Sequence, residues 1–314
     1  MTRMHRPDVL VLGAGGTIGG AWMGGLLAGI AGETGIDFAT CEHIVGTSAG
    51  SMVAADLLAG MEPRTSASSP AGNGALLDDD AVARELLLAG DADGRAAAGA
   101  DRDRRLRARA RRAGAGLASA AGSSLAPLAL SLGRTPGAFV RAAALARIEE
   151  PPRALDDLRA RIARHGLDWD GRLRIACVNR TSGRRVVFGA PGAPAATVAE
   201  AVQASCSIPG VFRPVRIGED DYVDGAVWSP TNMDAAPVGR DTHVLCLAPM
   251  GGPLGSRERH PAVRAATTAA LRLETLALQR RGAHVTVVLP GPADPSEHAR
   301  ITGFRQGRTL ARSG

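Results

Sequence analysis

Between residues 8 and 58 the chain runs twice from a short apolar stretch into a helical pattern. The first unit is Asp8 to Leu12, then a glycine-rich loop from Gly13 to Gly20, then a small-residue helix over Ala21 to Ala31. The second is Ile44 to Thr47 followed by a helix from Ser48 to Leu58. An apolar run without polar alternation marks a strand buried on both faces. Strand and helix alternating at this spacing predict βαβ units around a parallel sheet.

Further along, Gly60 to Gly74 is rich in Ser, Pro and Gly and reads as a surface loop. From Leu76 to about Leu158 the chain is rich in Ala, Leu and Arg and shows no strand pattern. A helical insertion is expected there, interrupted at Gly114, Gly116, Gly122, Pro127 and Pro136. Strands resume at Leu173 to Asn179 and Arg185 to Phe188, joined by Thr181-Ser182-Gly183 as a hairpin. Thr197 to Ser205 reads as a short helix and Ser207 to Val215 as a proline-bounded loop. His243 to Leu247 and His284 to Leu289 are further buried strands, separated by a helix over Pro261 to Arg281. Pro295 to Arg312 completes the pattern as a terminal helix. The organisation expected is a single domain over residues 1–314, with 60–170 as a helical insertion that caps it.

Composition narrows the surroundings. Of the 314 residues, 45% are hydrophobic and only 3% aromatic, so the core must be built from Ala, Val, Leu and Ile. Every basic residue is arginine, and the net charge of +6 is scattered, so it argues only weakly for an anionic partner. Cys41, Cys177, Cys206 and Cys246 lie far apart with no C-x-x-C pair, which fits buried free thiols in a reducing, cytoplasmic compartment. No apolar run approaches a membrane span. The arginine run Arg102 to Arg112 reads first as a solvated helix face. The second reading is contact with an anionic membrane surface, since Leu117, Leu125, Leu128 and Leu130 lie close by. No aromatic residue interleaves these arginines for stacking, so no nucleic-acid partner is expected. The clusters Asp78-Asp79-Asp80 and Glu219-Asp220-Asp221 read as solvated turns or helix starts, and neither metal nor cofactor is called for.

Three stretches could carry chemistry. Gly46-Thr47-Ser48-Ala49-Gly50 has the form G-x-S-x-G between a strand and a helix. A sharp turn there pushes the Ser48 hydroxyl outward, and Gly46 and Gly50 let neighbouring backbone come close. The plainer alternative is a small-residue turn with a capping serine. The loop Gly13 to Gly20 opens a helix whose first N–H groups lack intrahelical partners. It does not match G-x-G-x-x-G, because Ile18 stands at the last glycine, and without lysine it is no P-loop. An oxyanion hole and close glycine packing both remain open for it. Asp224, in Tyr222-Val223-Asp224-Gly225-Ala226, could direct a carboxylate at a serine from another strand end, or simply cap its own turn.

Taken in order, these blocks resemble the patatin-like phospholipase family. The stretch Ala204-Ser205-Cys206-Ser207-Ile208-Pro209-Gly210-Val211-Phe212 also resembles that family's A-S-x-x-x-P-G-x-F segment. The resemblance covers roughly residues 8–59 and 173–250. It implies a three-layer α/β/α fold with a mainly parallel sheet. It also implies a Ser48 nucleophile, an Asp224 proton acceptor with Gly225 beside it, and an oxyanion hole from Gly15, Gly16 and Thr17. The activity implied is acyl-ester hydrolysis on lipid or phospholipid-like substrates. Two positions depart from the pattern: Ile18 stands where the family usually has Arg or Lys, and Ala14 where it has glycine. These departures are the only support for a rival reading, a catalytically inactive binding or scaffold protein of the same fold. An α/β-hydrolase triad is the other alternative. His243 and His284 begin strands, at the wrong end for it, whereas His260 and His298 follow Asp224 in sequence.

Overall fold

The computed structural model describes residues 5–63, 134–251 and 261–291. Its strands are β1 (Val9–Leu12), β2 (His43–Gly46), β3 (Leu173–Asn179), β4 (Arg185–Phe188), β5 (Val215–Ile217), β6 (Asp220–Asp224), β7 (His243–Leu247) and β8 (His284–Val288). They form one sheet in the order β5-β6-β3-β2-β1-β7-β8, with β4 also paired to β3. β1, β2, β3, β7 and β8 are mutually parallel, while β4 and β6 run antiparallel to β3. The helices are α1 (Gly16–Thr34), α2 (Ala49–Leu58), α3 (Arg134–Ala146), α4 (Asp156–Ala163), α5 (Val198–Cys206) and α6 (Pro261–Arg280).

The apolar β1 run sorts its side chains onto two faces. Leu10 and Leu12 point into a core with Met23 and Leu27 of α1, Ala54 of α2, Leu158 and Ile162 of α4, and Val202 of α5. Val9 and Val11 point the other way, against Leu271 and Leu278 of α6. Helices therefore cover both sides of the sheet, as the three-layer expectation requires. Covering both sides is also what lets an unalternating strand be stable. Each fully buried Leu or Ile in these layers contributes roughly 1.5–3 kcal/mol.

One feature of the sheet decides where the site lies. β4 pairs with Ile175 to Val178 of β3, β2 with Leu173 to Ile175, and β6 with Cys177 to Asn179. Because β4 overlaps both of the others, β2 and β6 must share the opposite edge of β3, one after the other. They run toward each other, with Gly46 opposite Ile175 and Asp224 opposite Cys177. The last residues of these two strands are thus separated by about 7 Å of β3, two residues at roughly 3.3 Å each.

Several boundaries differ from the sequence expectation. α1 starts at Gly16, so most of the predicted glycine loop is already helix. Pro136 does not interrupt α3 but sits in its first turn, where the missing N–H costs nothing. The loop expected up to Val215 gives way to the short strand β5, which the Arg216 and Gly218 context hid. Leu158 and Ile162 belong to the main core, so α4, which falls within the 60–170 stretch, packs on the body of the molecule. Residues 64–133, with Asp78-Asp79-Asp80 and the Arg102 to Arg112 run, lie outside the described residues, as do His260, His298 and the helix expected over Pro295 to Arg312. Glu219, Asp220 and Asp221 belong to the β5–β6 hairpin. All four cysteines are buried and free. Among the described residues no helix is long and apolar enough to cross a membrane.

Candidate active site

Ser48 sits between β2 and α2 with φ 52° and ψ −123°, a backbone region that L side chains rarely occupy. Such strain persists only where the surroundings enforce it. Here Ser48 N–H donates to Ser205 Oγ at 2.9 Å, and Ser205 Oγ in turn donates to the Ala176 carbonyl at 2.8 Å. The Ser48 carbonyl accepts from the Ser51 amide and from Ser51 Oγ. None of these bonds uses the Ser48 hydroxyl.

The glycines around it have steric reasons. A Cβ on Gly46 would lie 2.6 Å from Ser51 Cα, and one on Gly50 would lie 2.0 Å from the Leu12 carbonyl oxygen. That second contact is backbone against backbone, which cannot swing away. Gly50→Ala is therefore expected to cost at least about 2 kcal/mol, in the upper range for overpacking, read as a lower urea midpoint at unchanged slope.

The Leu12 carbonyl that crowds Gly50 also accepts the Thr47 N–H, so the end of β1 and the turn at Ser48 are locked side by side. The loop that follows β1 spends two amides on structure: Gly13 N–H bonds the Leu247 carbonyl and Ala14 N–H the Pro230 carbonyl. Gly15, Gly16 and Thr17 come next, at the N-terminus of α1, and their N–H groups have no acceptor among the described residues. Gly16 has φ +60°, and a Cβ on Gly15 would strike Pro249 Cβ at 2.7 Å. The loop accordingly tolerates no side chain at Gly15, and three free amides follow the two that anchor it. Unpaired amides at a helix start suit an anion. Ile18 is exposed to solvent, so its departure from the family pattern leaves the amides in place.

Asp224 ends β6 and is almost wholly buried. Its Oδ1 accepts from Ala226 N–H at 2.8 Å, and its own N–H bonds the Ser207 carbonyl. Burial raises its pKa from the ordinary 3.8 to about 7, against the opposing pull of the Ala226 amide and the Ser48 hydroxyl, which both favour the carboxylate. The next residue must be glycine, because a Cβ at Gly225 would sit 2.2 Å from the Ala176 carbonyl oxygen. Ala176 is the β3 residue between the two facing strand ends, and both Ser205 and Gly225 are fitted to its carbonyl.

Sequence reasoning missed a buried polar clamp behind these groups. Asn232, in the left-handed region at φ 48°, donates Nδ2 to Thr47 Oγ1 at 3.2 Å and to the Gly225 carbonyl at 3.1 Å. It thereby ties the residue before Ser48 to the residue after Asp224. Thr231 Oγ1 and Met233 N–H both donate to Glu274 Oε2 of α6. Burial, reinforced by the charge of Asp234, lifts Glu274 to about 7. An asparagine in a Pro-Thr-Asn-Met turn carries no motif, and only the left-handed preference of Asn offered a signal.

No histidine is seen to complete a triad among the described residues. His43, His243 and His284 begin strands, away from the carboxyl ends where Ser48 lies, and His165 Nε2 is bonded to Asp56 at 2.8 Å. The same residues contain no cluster of His, Cys, Asp and Glu placed to hold a metal. The described residues thus hold a strained serine, a buried carboxyl of near-neutral pKa that the Ser48 hydroxyl stabilises, and three free amides on the loop after β1. Such a carboxyl is suited to accepting a proton from a hydroxyl, and such amides to an anion.

A family model described as patatin-like phospholipase matches residues 10–237. No curated protein gives a significant match. Among solved structures, VipD from Legionella pneumophila is similar at 17% identity and a TM-score of 0.42, over 95% of this chain and 65% of VipD. This chain thus spans a little under two thirds of the length of that neighbour.

Proposed function

Because this chain belongs to the patatin-like phospholipase family, we propose that it hydrolyses acyl esters of lipids through a Ser48–Asp224 dyad and an acyl-enzyme. Asp224 in its carboxylate form takes the Ser48 proton as Oγ attacks the ester carbonyl carbon. The carbonyl π electrons move to oxygen, and the resulting oxyanion is held by N–H groups of Gly15, Gly16 and Thr17. Collapse re-forms the carbonyl and breaks the ester bond, and Asp224 returns its proton to the departing alcohol. Water then attacks the acyl-serine, again giving its proton to Asp224; collapse breaks the acyl–Oγ bond and releases the fatty acid while Asp224 returns that proton to Ser48 Oγ, regenerating both residues. The dyad needs no histidine because burial already lifts the carboxyl to about 7, where it is a competent base near neutral pH.

The observation that carries this reading is the backbone of Ser48, held at φ 52° beside a buried carboxyl that its hydroxyl stabilises. Strain of this kind, about 1–3 kcal/mol, is typical of a functional position. Treatment with a fluorophosphonate is expected to modify Ser48 and no other serine, read by mass spectrometry of the digested protein, with loss of ester hydrolysis in proportion. A wild-type protein that hydrolyses short-chain p-nitrophenyl esters while Ser48 stays unmodified would defeat the reading. A protein inert to both reagents would favour a binding or scaffold role.

A further inference from the structure

Beyond the dyad, the described residues hold a second cluster whose electrostatics do not close. Arg141 of α3 is only 2% exposed, yet no carboxylate among the described residues pairs with it. Its Nε donates to the Gly183 carbonyl at 2.8 Å, while Nη2 is buried without any hydrogen-bond partner. The guanidinium lies 3.9 Å over the Trp228 ring, and the Trp228 Nε1–H is likewise buried and unpartnered. A second guanidinium, Arg185, stands 5.2 Å from the same ring, but it is already bound through both Nη atoms to Asp234. Burial, then the charge of Arg185, lowers the Arg141 pKa to about 10.

Buried charges are ordinarily paired, and leaving one unpaired is strongly unfavourable. Stacking over the indole recovers only part of that cost. A buried positive charge with a donor left free suits a negative partner. We propose that Arg141 and Trp228 form an anion site, in which Arg141 Nη2 and Trp228 Nε1 donate to one phosphate-class oxyanion.

The position of the cluster gives the site its meaning. The α3 backbone rests on the β3–β4 turn, where a Cβ on Gly183 would lie 2.2 Å from the Ala138 carbonyl oxygen. That turn is at the carboxyl end of β3, the end of the sheet that also carries Ser48. Trp228 follows Asp224 by one turn of 3₁₀ helix, its N–H bonded to the Gly225 carbonyl at 3.0 Å. Four residues at about 2 Å rise place its backbone roughly 8 Å along the chain from that of Asp224. Trp228 packs with Val178 and Val223, on the face of β6 opposite the Asp224 side chain. The exposed neighbours Phe139 and Val140 put this part of α3 at the protein surface. An oxyanion here can be the phosphate of a lipid whose ester reaches Ser48, a role that rests on the proposed hydrolase activity, or free phosphate bound beside the site.

The test uses the full chain as wild type, Arg141→Gln and Trp228→Phe, with two readouts. In thermal melts with inorganic phosphate, the wild-type midpoint is expected to rise. Arg141→Gln should lose that shift and Trp228→Phe should reduce it. In kinetics, the ratio of kcat/KM on phosphatidylglycerol vesicles to that on p-nitrophenyl butyrate is expected to fall about 10- to 100-fold in Arg141→Gln, the range for hydrogen bonds to a charged group. A phosphate-dependent shift with an unchanged ratio assigns the site to free phosphate. A shift in a wild-type protein that hydrolyses neither ester leaves the anion site standing and removes the hydrolase reading. Absence of any wild-type phosphate shift together with an unchanged ratio overturns the site. So does an Arg141→Gln variant that loses both esters equally and keeps the wild-type response to phosphate.

Discussion

Ser48→Ala is expected to lower kcat for a short-chain p-nitrophenyl ester by roughly 10⁴- to 10⁶-fold, the scale set by removal of a serine nucleophile elsewhere. The hydroxyl is the only group lost. The backbone bonds that fix the turn, from Ser48 N–H to Ser205 Oγ and from Ser51 to the Ser48 carbonyl, survive the change. The variant should therefore melt close to wild type. Ser48→Gly should be equally inactive but more stable than Ser48→Ala by about 1 kcal/mol, since glycine accepts φ 52° without a Cβ penalty. Urea unfolding of the two variants checks the strain, and the ester assay checks the chemistry. Wild-type turnover in Ser48→Ala would exclude the acyl-serine route.

Asp224→Asn should lose about 10²- to 10⁴-fold in kcat, the usual worth of a general base, while gaining stability at neutral and alkaline pH. The amide oxygen can still accept the Ala226 N–H, so the turn keeps its cap. In the wild type the folded carboxyl titrates near 7 and the unfolded one near 3.8. Between those values the native state holds a proton that the unfolded state has released, so stability falls as pH rises through this window. Above pH 7 the deficit is fully present and amounts to something on the order of 4 kcal/mol. Asparagine removes it. The midpoint of Asp224→Asn should exceed wild type at pH 8 and converge with it below about pH 4, as followed by thermal denaturation. Glu274, also lifted to about 7, slopes the same way in both proteins and cancels in the difference. Wild-type kcat/KM should rise about tenfold per pH unit below 7 and level off above it, because only the ionised carboxyl can accept the serine proton. A flat profile across this range would remove Asp224 as the base.

Sequence alone carried the local parts of this molecule well. Glycines at 46 and 50, the buried β1 run and the Asp-Gly pair at 224–225 each state a backbone requirement that short patterns reveal, and each requirement is met by a named close contact. What the pattern could not reveal was the meeting of strand ends, because the succession of β2 and β6 along one edge of β3 is a matter of pairing rather than of composition. Ser205 was visible only as part of a family segment, and its bonds to Ser48 and Ala176 depend on where α5 docks. Arg141 was concealed among arginines of an Ala-rich stretch. Nothing in sequence distinguishes a buried guanidinium from the solvated ones around it.

The end-to-end placement of β2 and β6 makes β3 a ruler for the chemistry. A substitution at Ala176 leaves its length intact, but one residue inserted there would widen the gap by about 3.3 Å and turn every later side chain to the opposite face. Evolution can exchange side chains along this strand only as its packed faces allow, and has almost no licence to lengthen it.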